Sequence, residues 1–166
     1  MIVVGIDPGQ KGGIAVISCN CKGLQVEVFD MFNDFSDLVS FFWDLKRKSE
    51  RSKDGRLIVF IEKQSPFPKQ GVVSTFKLGR SYGELIGVLR TLGISFEEVS
   101  SHRWKRFFGL NGKALDRKKR KELSLEKAKS LFPELVEKIG KSDGKAEALL
   151  IAEYCRRLFA LSFSSV

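Results

Sequence analysis

The sequence is poor in the residues that build zinc sites and disulfide scaffolds. Its 166 residues include a single histidine, His102, and three cysteines, which cannot all pair with one another. Cys19 and Cys21 are separated by one residue, which is not the spacing of a zinc knuckle. We therefore expect a protein of a reducing, intracellular setting that holds no structural zinc.

Long apolar runs are also missing. The apolar run at residues 146–152 is interrupted by charge, and no stretch approaches the ~20 apolar residues that cross a bilayer. The first nine residues, MIVVGIDPG, have no basic region and reach Asp7 at once, unlike a signal peptide. Internal repeats and interdomain linkers are not found either. These features predict one cytoplasmic domain that spans residues 1–166.

Basic residues outnumber acidic ones. There are 29 Lys and Arg against 20 Asp and Glu, which gives a net charge of +9. Such a surplus favours a polyanion, most often nucleic acid, as the partner. A membrane surface is the alternative, but no basic amphipathic helix supports it. Residues 101–121 hold nine Lys or Arg and one acid, and residues 46–56 hold six and two. Either cluster could contact phosphates, which would make binding steeply salt-dependent, or could be a solvated basic face.

The order of the apolar segments predicts an α/β fold. β-Branched and alternating runs predict strands at residues 2–6, 12–17, 24–29, 57–61 and 94–99. Helical spacing and capping residues predict helices at 35–48, 72–92, 101–108, 124–132 and 143–161. The short connections between the first three strands predict an antiparallel start. The later interleaving of strands and helices predicts a five-stranded mixed sheet flanked by helices.

The helix predicted at 72–92 carries glycines at positions 79, 83 and 87. Their spacing of four places them on one face of the helix, where another element can pack closely. A helix of a second copy is the simplest candidate, which would make this helix the interface of a dimer. Packing onto the chain's own sheet is the alternative.

Four carboxylates stand where they can converge. Asp7 and Glu62 each follow a strongly apolar strand, and Asp143 and Glu147 share a face at the start of the last helix. Gathered carboxylates repel one another unless cations neutralise them, and Mg²⁺ and Mn²⁺ prefer oxygen ligands. Two such ions roughly 3.5–4 Å apart can clamp the attacking and leaving oxygens of a phosphodiester. Singly, each acid could instead be a turn residue, a helix cap or a surface residue.

Several strings resemble one family across nearly the whole chain. GIDPG at 5–9 is similar to the opening of RuvC-type Holliday junction resolvases, and FIEK at 60–63 resembles their second acidic motif. DGKAEALLIA at 143–152 resembles their closing acidic helix. The segments 81–83, 85–89 and 104–105 resemble the phage-type branch of the family.

This resemblance implies an RNase H-like fold and a homodimer that cuts opposing strands of a four-way DNA junction with divalent metal. Asp7 and Glu62 would match the first two acidic ligands. Glu147 would match the last one, where the family usually has the shorter Asp, and Asp143 would match the remaining acidic or histidine position. The phage-type branch suggests a bacterial cell or a virus-infected host.

Contacts to DNA are expected from the loop after Glu62, the helix at 72–92 and the basic segment 101–121. Phe67 could wedge between opened bases, or it could pack within its loop. Lys63 or Lys69 could stabilise charge on the phosphate. The aromatic residues Trp104, Phe107 and Phe108 could face DNA or belong to the core. The predicted DNA-binding residues are Lys63, Phe67, Lys69, Gln70, Arg80, Arg103, Lys105, Arg106, Lys113, Arg117, Lys118 and Lys119.

Three other functions compete with that of a junction-cutting endonuclease. A nuclease for flaps or forks would use the same fold and chemistry. A non-catalytic basic DNA-binding module would have dispersed, dispensable carboxylates. An early Asp-x-Gly after a strand also opens sugar-kinase and actin-like ATPases, but these need two such domains and further phosphate-binding loops, for which 166 residues are too few.

Overall fold

The structure, a computed structural model, describes residues 1–20, 23–52, 55–65, 71–111 and 116–163. The strands are β1 (Ile2–Asp7), β2 (Gly13–Asn20), β3 (Gly23–Asp30), β4 (Leu57–Glu62) and β5 (Phe96–Val99). The helices are α1 (Phe35–Glu50), α2 (Val72–Thr91), α3 (Ser101–Phe107), α4 (Arg117–Leu131), α5 (Val136–Ile139) and α6 (Asp143–Phe163), with a 3₁₀ turn at Pro133–Leu135. No helix within these residues is long and apolar enough to cross a membrane.

The strands form one sheet in the order β3-β2-β1-β4-β5. β1 pairs antiparallel with β2, and β2 pairs antiparallel with β3, whereas β1–β4 and β4–β5 are parallel. The predicted five-stranded mixed sheet with an antiparallel start is therefore confirmed. Because β1 and β4 are parallel neighbours, their carboxyl ends lie at the same edge of the sheet, and Asp7 and Glu62 stand there side by side.

Both faces of the central strands are covered, which explains why β1 is apolar without interruption. Val3 and Phe60 face α6, whereas Ile6 and Ile61 face α1 and α2. Successive side chains of a strand alternate between the two faces. Asp7 therefore points to the same side as Val3, and β4 alternates in the same way. The carboxylates at both strand ends are thus directed toward α6.

Helix α6 lies directly on the β1–β2 hairpin because small residues remove the side chains between them. A Cβ on Gly5 would lie 2.2 Å from the Ala152 nitrogen and 2.3 Å from the Ala148 carbonyl oxygen. A Cβ on Gly144 would lie 2.2 Å from the Lys11 carbonyl oxygen. The first turns of α6 are therefore fixed closely against the strand end that carries the first acid.

Helix α4 begins seven residues earlier than expected, at Arg117 instead of residue 124. Its first turns are basic and carry little apolar periodicity, so the apolar pattern alone misses them. The Asp116 carboxylate accepts a hydrogen bond of 2.7 Å from the Lys119 amide and caps the helix. Residues 112–115 of the basic segment 101–121 lie outside the described residues.

The glycine face of α2 does not pack on the chain's own sheet. Leu85, Val88 and Leu89 are the residues of α2 that enter the core. A Cβ at Gly79, Gly83 or Gly87 would meet nothing within 4 Å, so this face is open among the described residues.

The close packing of α6 predicts opposite effects for two glycine-to-alanine substitutions in helices. Gly144→Ala is expected to lower the free energy of unfolding by about 1–3 kcal/mol, because the new methyl group would force α6 off the hairpin. Gly79→Ala adds a methyl group on a face that is open in the single protomer, so at a concentration at which the chain is monomeric it should raise the free energy of unfolding by up to ~1 kcal/mol through helix propensity. Urea denaturation checks both, and equal changes in the two variants would contradict the packing described for α6.

Candidate active site

Three of the four predicted acids meet at the edge of the sheet. Asp7 from the end of β1, Glu62 from the end of β4 and Glu147 from α6 each offer a carboxylate oxygen, and these oxygens lie within 4.8 Å of one another. Glu147 is buried, and the other two are partly buried. We call these three residues the acidic cluster.

Two carboxyl groups of the acidic cluster, those of Asp7 and Glu62, have raised pKa values. Burial raises the pKa of Asp7 well above its usual range, and the neighbouring charges of Glu62 and Glu147 raise it further. Burial also raises the pKa of Glu62 to about 7, again with a contribution from Glu147. The positive charge of Lys105 lowers both pKa values. Bringing these groups together is therefore costly without a cation, and their oxygens are the donors that hard divalent cations prefer.

Two adjacent residues of helix α3 contact the acidic cluster. The Trp104 indole, which is fully buried, donates a hydrogen bond of 3.0 Å from Nε1 to a Glu62 carboxylate oxygen. The Lys105 ammonium lies 2.9 Å from a Glu147 carboxylate oxygen and 4.7 Å from the centroid of the Trp104 ring. Trp104 thus belongs to the core and also positions an acid, while Phe108 is buried and Phe107 is 39 % exposed.

Sequence reasoning placed Lys105 among the DNA-binding residues and missed its contact with the acidic cluster. Nothing in the local pattern distinguishes Lys105 from the other basic residues of 101–121. Its 18 % side-chain exposure follows from the docking of α3 beside α6. Ser124 of α4 was missed as well. Its hydroxyl is buried and donates a hydrogen bond of 3.0 Å to Glu147.

Asp143 stands beside the acidic cluster rather than within it. Its carboxylate pairs with the ammonium of Lys121 from α4, and its side chain is 31 % exposed. Its charge makes the smallest of the contributions that shift the pKa of Asp7. Its role as a ligand stays a prediction.

The predicted DNA-binding residues that the structure describes are mostly exposed. Lys63, Arg106 and Lys118 are exposed, whereas three others are exposed but bound by acids. Arg80 pairs with Glu84 at 2.8 Å, Arg103 with Glu97 at 3.6 Å and Lys119 with Glu122 at 3.6 Å. Phe67, Lys69, Gln70 and Lys113 lie outside the described residues, as does the side chain of Arg117.

A groove lies beside the acidic cluster, between α3 and the start of α4. Lys105, which contacts Glu147, lines this groove together with two further cations, Arg106 and Arg120. The lining residues are Ser101, His102, Lys105, Arg106, Gly109, Leu110, Asn111 and Arg120. His102 and Arg120 belong to the basic segment 101–121 but were not among the predicted DNA-binding residues, and the structure places both in this groove.

Solved structures share this fold, whereas no protein-family model and no curated protein matches the chain. RuvC of Thermus thermophilus superposes with a TM-score of 0.59 at 19% identity, over 96% of this chain and 97% of that one. The same protein in complex with a Holliday junction substrate gives 0.58 at 17%, over 95% and 96%. A yeast mitochondrial Holliday junction resolvase gives 0.50 at 15%, over 97% and 83%. The chain therefore has the fold of the RuvC-type resolvases, as its motifs implied, while the phage-type branch stays a prediction.

The raised pKa of Glu62 predicts a pH-dependent stability. Between about pH 4.5 and pH 7 the folded protein holds a proton at Glu62 that the unfolded chain releases. In EDTA the free energy of unfolding should therefore fall as the pH rises through this range, by up to about 1.4 kcal/mol per pH unit from this group. Urea denaturation of the wild type and of Glu62→Gln measures the slope.

Glu62→Gln should flatten this decline, whereas Glu134→Gln, at an exposed position outside the acidic cluster, should keep the wild-type slope. Asp7 contributes in the same direction, because its pKa is also raised. A wild-type stability that rises with pH over this range would contradict the electrostatics described for the acidic cluster.

Proposed function

We propose that this protein is a structure-selective, metal-dependent endonuclease that cuts four-way DNA junctions by paired, symmetric nicks. The observation that carries the proposal is the convergence of Asp7, Glu62 and Glu147 at the edge of a RuvC-like sheet. One structural neighbour was solved with a Holliday junction substrate, which supports the same class of substrate for this chain. The net charge of +9 supports a polyanionic substrate independently of the fold.

The acidic cluster suits divalent metal. Its donors are carboxylate oxygens only, and their burial and mutual repulsion favour a bound cation. We propose that Asp7, Glu62 and Glu147 hold Mg²⁺ or Mn²⁺, two ions per site, with Asp143 as the fourth ligand. When bound, such ions supply a hydroxide nucleophile at neutral pH and stabilise charge on the phosphate oxygens.

The remaining residues of the site position the acids. The hydrogen bond from Trp104 fixes the carboxylate of Glu62, and that from Ser124 orients Glu147. Ordered outer partners of this kind typically change metal affinity or activity by 10–100-fold when removed. The groove lined by Arg106 and Arg120 lies next to Lys105, so a DNA strand bound there would bring its phosphates to the acidic cluster.

A non-catalytic DNA-binding module fits the structure less well. It predicts dispersed carboxylates, but three acids from positions 7, 62 and 147 converge and are supported by a buried tryptophan and a buried serine. A surface used only for phosphates gains nothing from a buried acidic cluster, because like charge repels the polyanion.

Cleavage assays test this proposal directly. A synthetic four-way junction, a fork and a linear duplex are incubated with Mg²⁺, Mn²⁺ or EDTA, and the nicks are mapped on both strands. We expect paired nicks in the junction with metal only. Asp7→Asn should lower the rate by more than about 100-fold, since it removes a proposed ligand, which should cost at least as much as an outer partner.

The exposed Glu134→Gln serves as a matched acid-to-amide control and should cut at the wild-type rate. Equal cutting of junction and fork would assign a broader branched-DNA nuclease of the same chemistry. Full activity of Asp7→Asn would contradict the metal-carboxylate mechanism.

The open face of α2 supports a homodimer. Val72 and Phe76 are 85 % and 72 % exposed, and they precede Gly79, Gly83 and Gly87 at spacings of three or four. These residues therefore form one apolar stripe along the outside of the helix. Small residues let two helix backbones approach closely, and a two-fold dimer presents two identical sites for paired nicks. We propose that two copies pair through this stripe.

Gly83→Glu is expected to convert the dimer to a monomer, because it places a charge in the middle of the stripe. Sedimentation equilibrium measures the mass of each species. The control Ser130→Glu introduces the same charge at an exposed position of α4 and should remain dimeric. A wild type that is monomeric at every concentration, or a Gly83→Glu variant that dimerises fully, would contradict the proposed interface.

A further inference from the structure

Two lysines pair with the first two acids of α6. The Lys105 ammonium from α3 lies 2.9 Å from a Glu147 carboxylate oxygen, and the Lys121 ammonium from α4 contacts the Asp143 carboxylate. These are the two acids that the last helix is proposed to offer to metal. Each is therefore already paired with a positive charge that the chain itself supplies.

An ammonium and a divalent cation compete for the same oxygens. A carboxylate that accepts a hydrogen bond from lysine has fewer lone pairs free for a metal, and a fixed positive charge beside the site repels the incoming ion. The competition concerns Lys105 most strongly, since its side chain is only 18 % exposed and its charge also acts on Asp7 and Glu62.

The Lys105 ammonium can also interact with phosphates in the groove. It lines the groove beside Arg106 and Arg120, where phosphates are proposed to bind. A lysine has a flexible four-carbon stem, so its ammonium can exchange partners without movement of the backbone. Lys121 is 41 % exposed and follows Arg120 on the same helix, so it can leave Asp143 for solvent or for a phosphate.

We propose that Lys105 and Lys121 are exchangeable counterions that couple metal binding to DNA binding. In the free protein they neutralise Glu147 and Asp143. They leave these acids when divalent metal binds and then contact the DNA phosphates. This inference rests on the proposed function, which it extends to the regulation of the same site. The pairing with Lys121 also accounts for the position of Asp143 outside the acidic cluster.

Thermodynamic linkage makes the coupling between metal binding and DNA binding reciprocal. If metal frees the lysines for DNA, then DNA must strengthen metal binding by the same factor. The free protein would hold metal weakly and would acquire it together with the junction. Such a coupling keeps the acidic cluster inactive away from DNA.

Calorimetry with Mn²⁺ alone gives the first test. Lys105→Met and Lys121→Met keep most of the side-chain volume and remove the competing charge. Each should lower the Kd for Mn²⁺ by at least about fivefold, which is the lower end of typical coupling between sites. Lys119→Met is the matched control, because Lys119 pairs with Glu122 on the same helix and outside the acidic cluster, and its Kd should equal that of the wild type.

Chemical labelling separates exchange from a simple effect of charge. The folded protein is treated briefly with an acetylating N-hydroxysuccinimide ester, and each lysine is followed by mass spectrometry. Lys105 should react slowly without metal, faster with Ca²⁺, and slowly again with Ca²⁺ and a four-way junction whose strands are checked to be intact. Exposed Lys118 should react quickly in the first two conditions.

The same junction, fluorescently labelled, gives the coupling by anisotropy. Ca²⁺ should tighten binding of the wild type by several-fold, and Lys105→Met combined with Lys121→Met should abolish most of this gain. Unchanged Mn²⁺ affinity in both single variants, or labelling of Lys105 that does not respond to Ca²⁺, would overturn the exchange while leaving the proposed nuclease intact. Absence of Mn²⁺ binding in the wild type and in every variant would overturn both.

Discussion

The contact between the backbone of α6 and the β1–β2 hairpin determines where the three carboxylates of the acidic cluster meet. A glycine in β1 and alanines in α6 let the two elements touch without intervening side chains, so Glu147 is brought to the end of β1 beside Asp7. A larger residue at Gly5 would displace the helix and its carboxylate together. The acidic cluster thus depends on residues that carry no functional group at all.

Much of the sheet and the pair of strand-end acids could be predicted from the sequence, because both depend on local patterns. Apolar strands that end in Asp7 and Glu62 are visible as strings, and parallel pairing then places their ends together. The residues that contact Glu147 could not be predicted in this way. Lys105 and Ser124 reach Glu147 only because α3 and α4 dock beside α6, and that docking depends on tertiary packing. The early start of α4 was missed because its first turns are basic rather than apolar.

Positive and negative charge are closely interleaved at this edge of the sheet. The acids are held by residues of the basic segment 101–121, so the part of the chain that suits a polyanion also neutralises the carboxylates that would repel it. The positive charges of Lys105 and Lys121 therefore offset part of the repulsion that Glu147 and Asp143 would exert on a polyanion. Net charge alone does not distinguish these two lysines, which contact acids, from the exposed basic residues of the same segment.

Glu147 follows Asp7 by 140 residues in the chain. A ribosome that has released only β1 to β5 has made two of the three clustered acids and lacks the third. At a synthesis rate of about 5–20 residues per second, the segment between them takes roughly 7–30 s to emerge. The acidic cluster is therefore incomplete until α6 has emerged and docks on the hairpin. The order of the elements along the chain thus delays the meeting of the three carboxylates until α6 has been made.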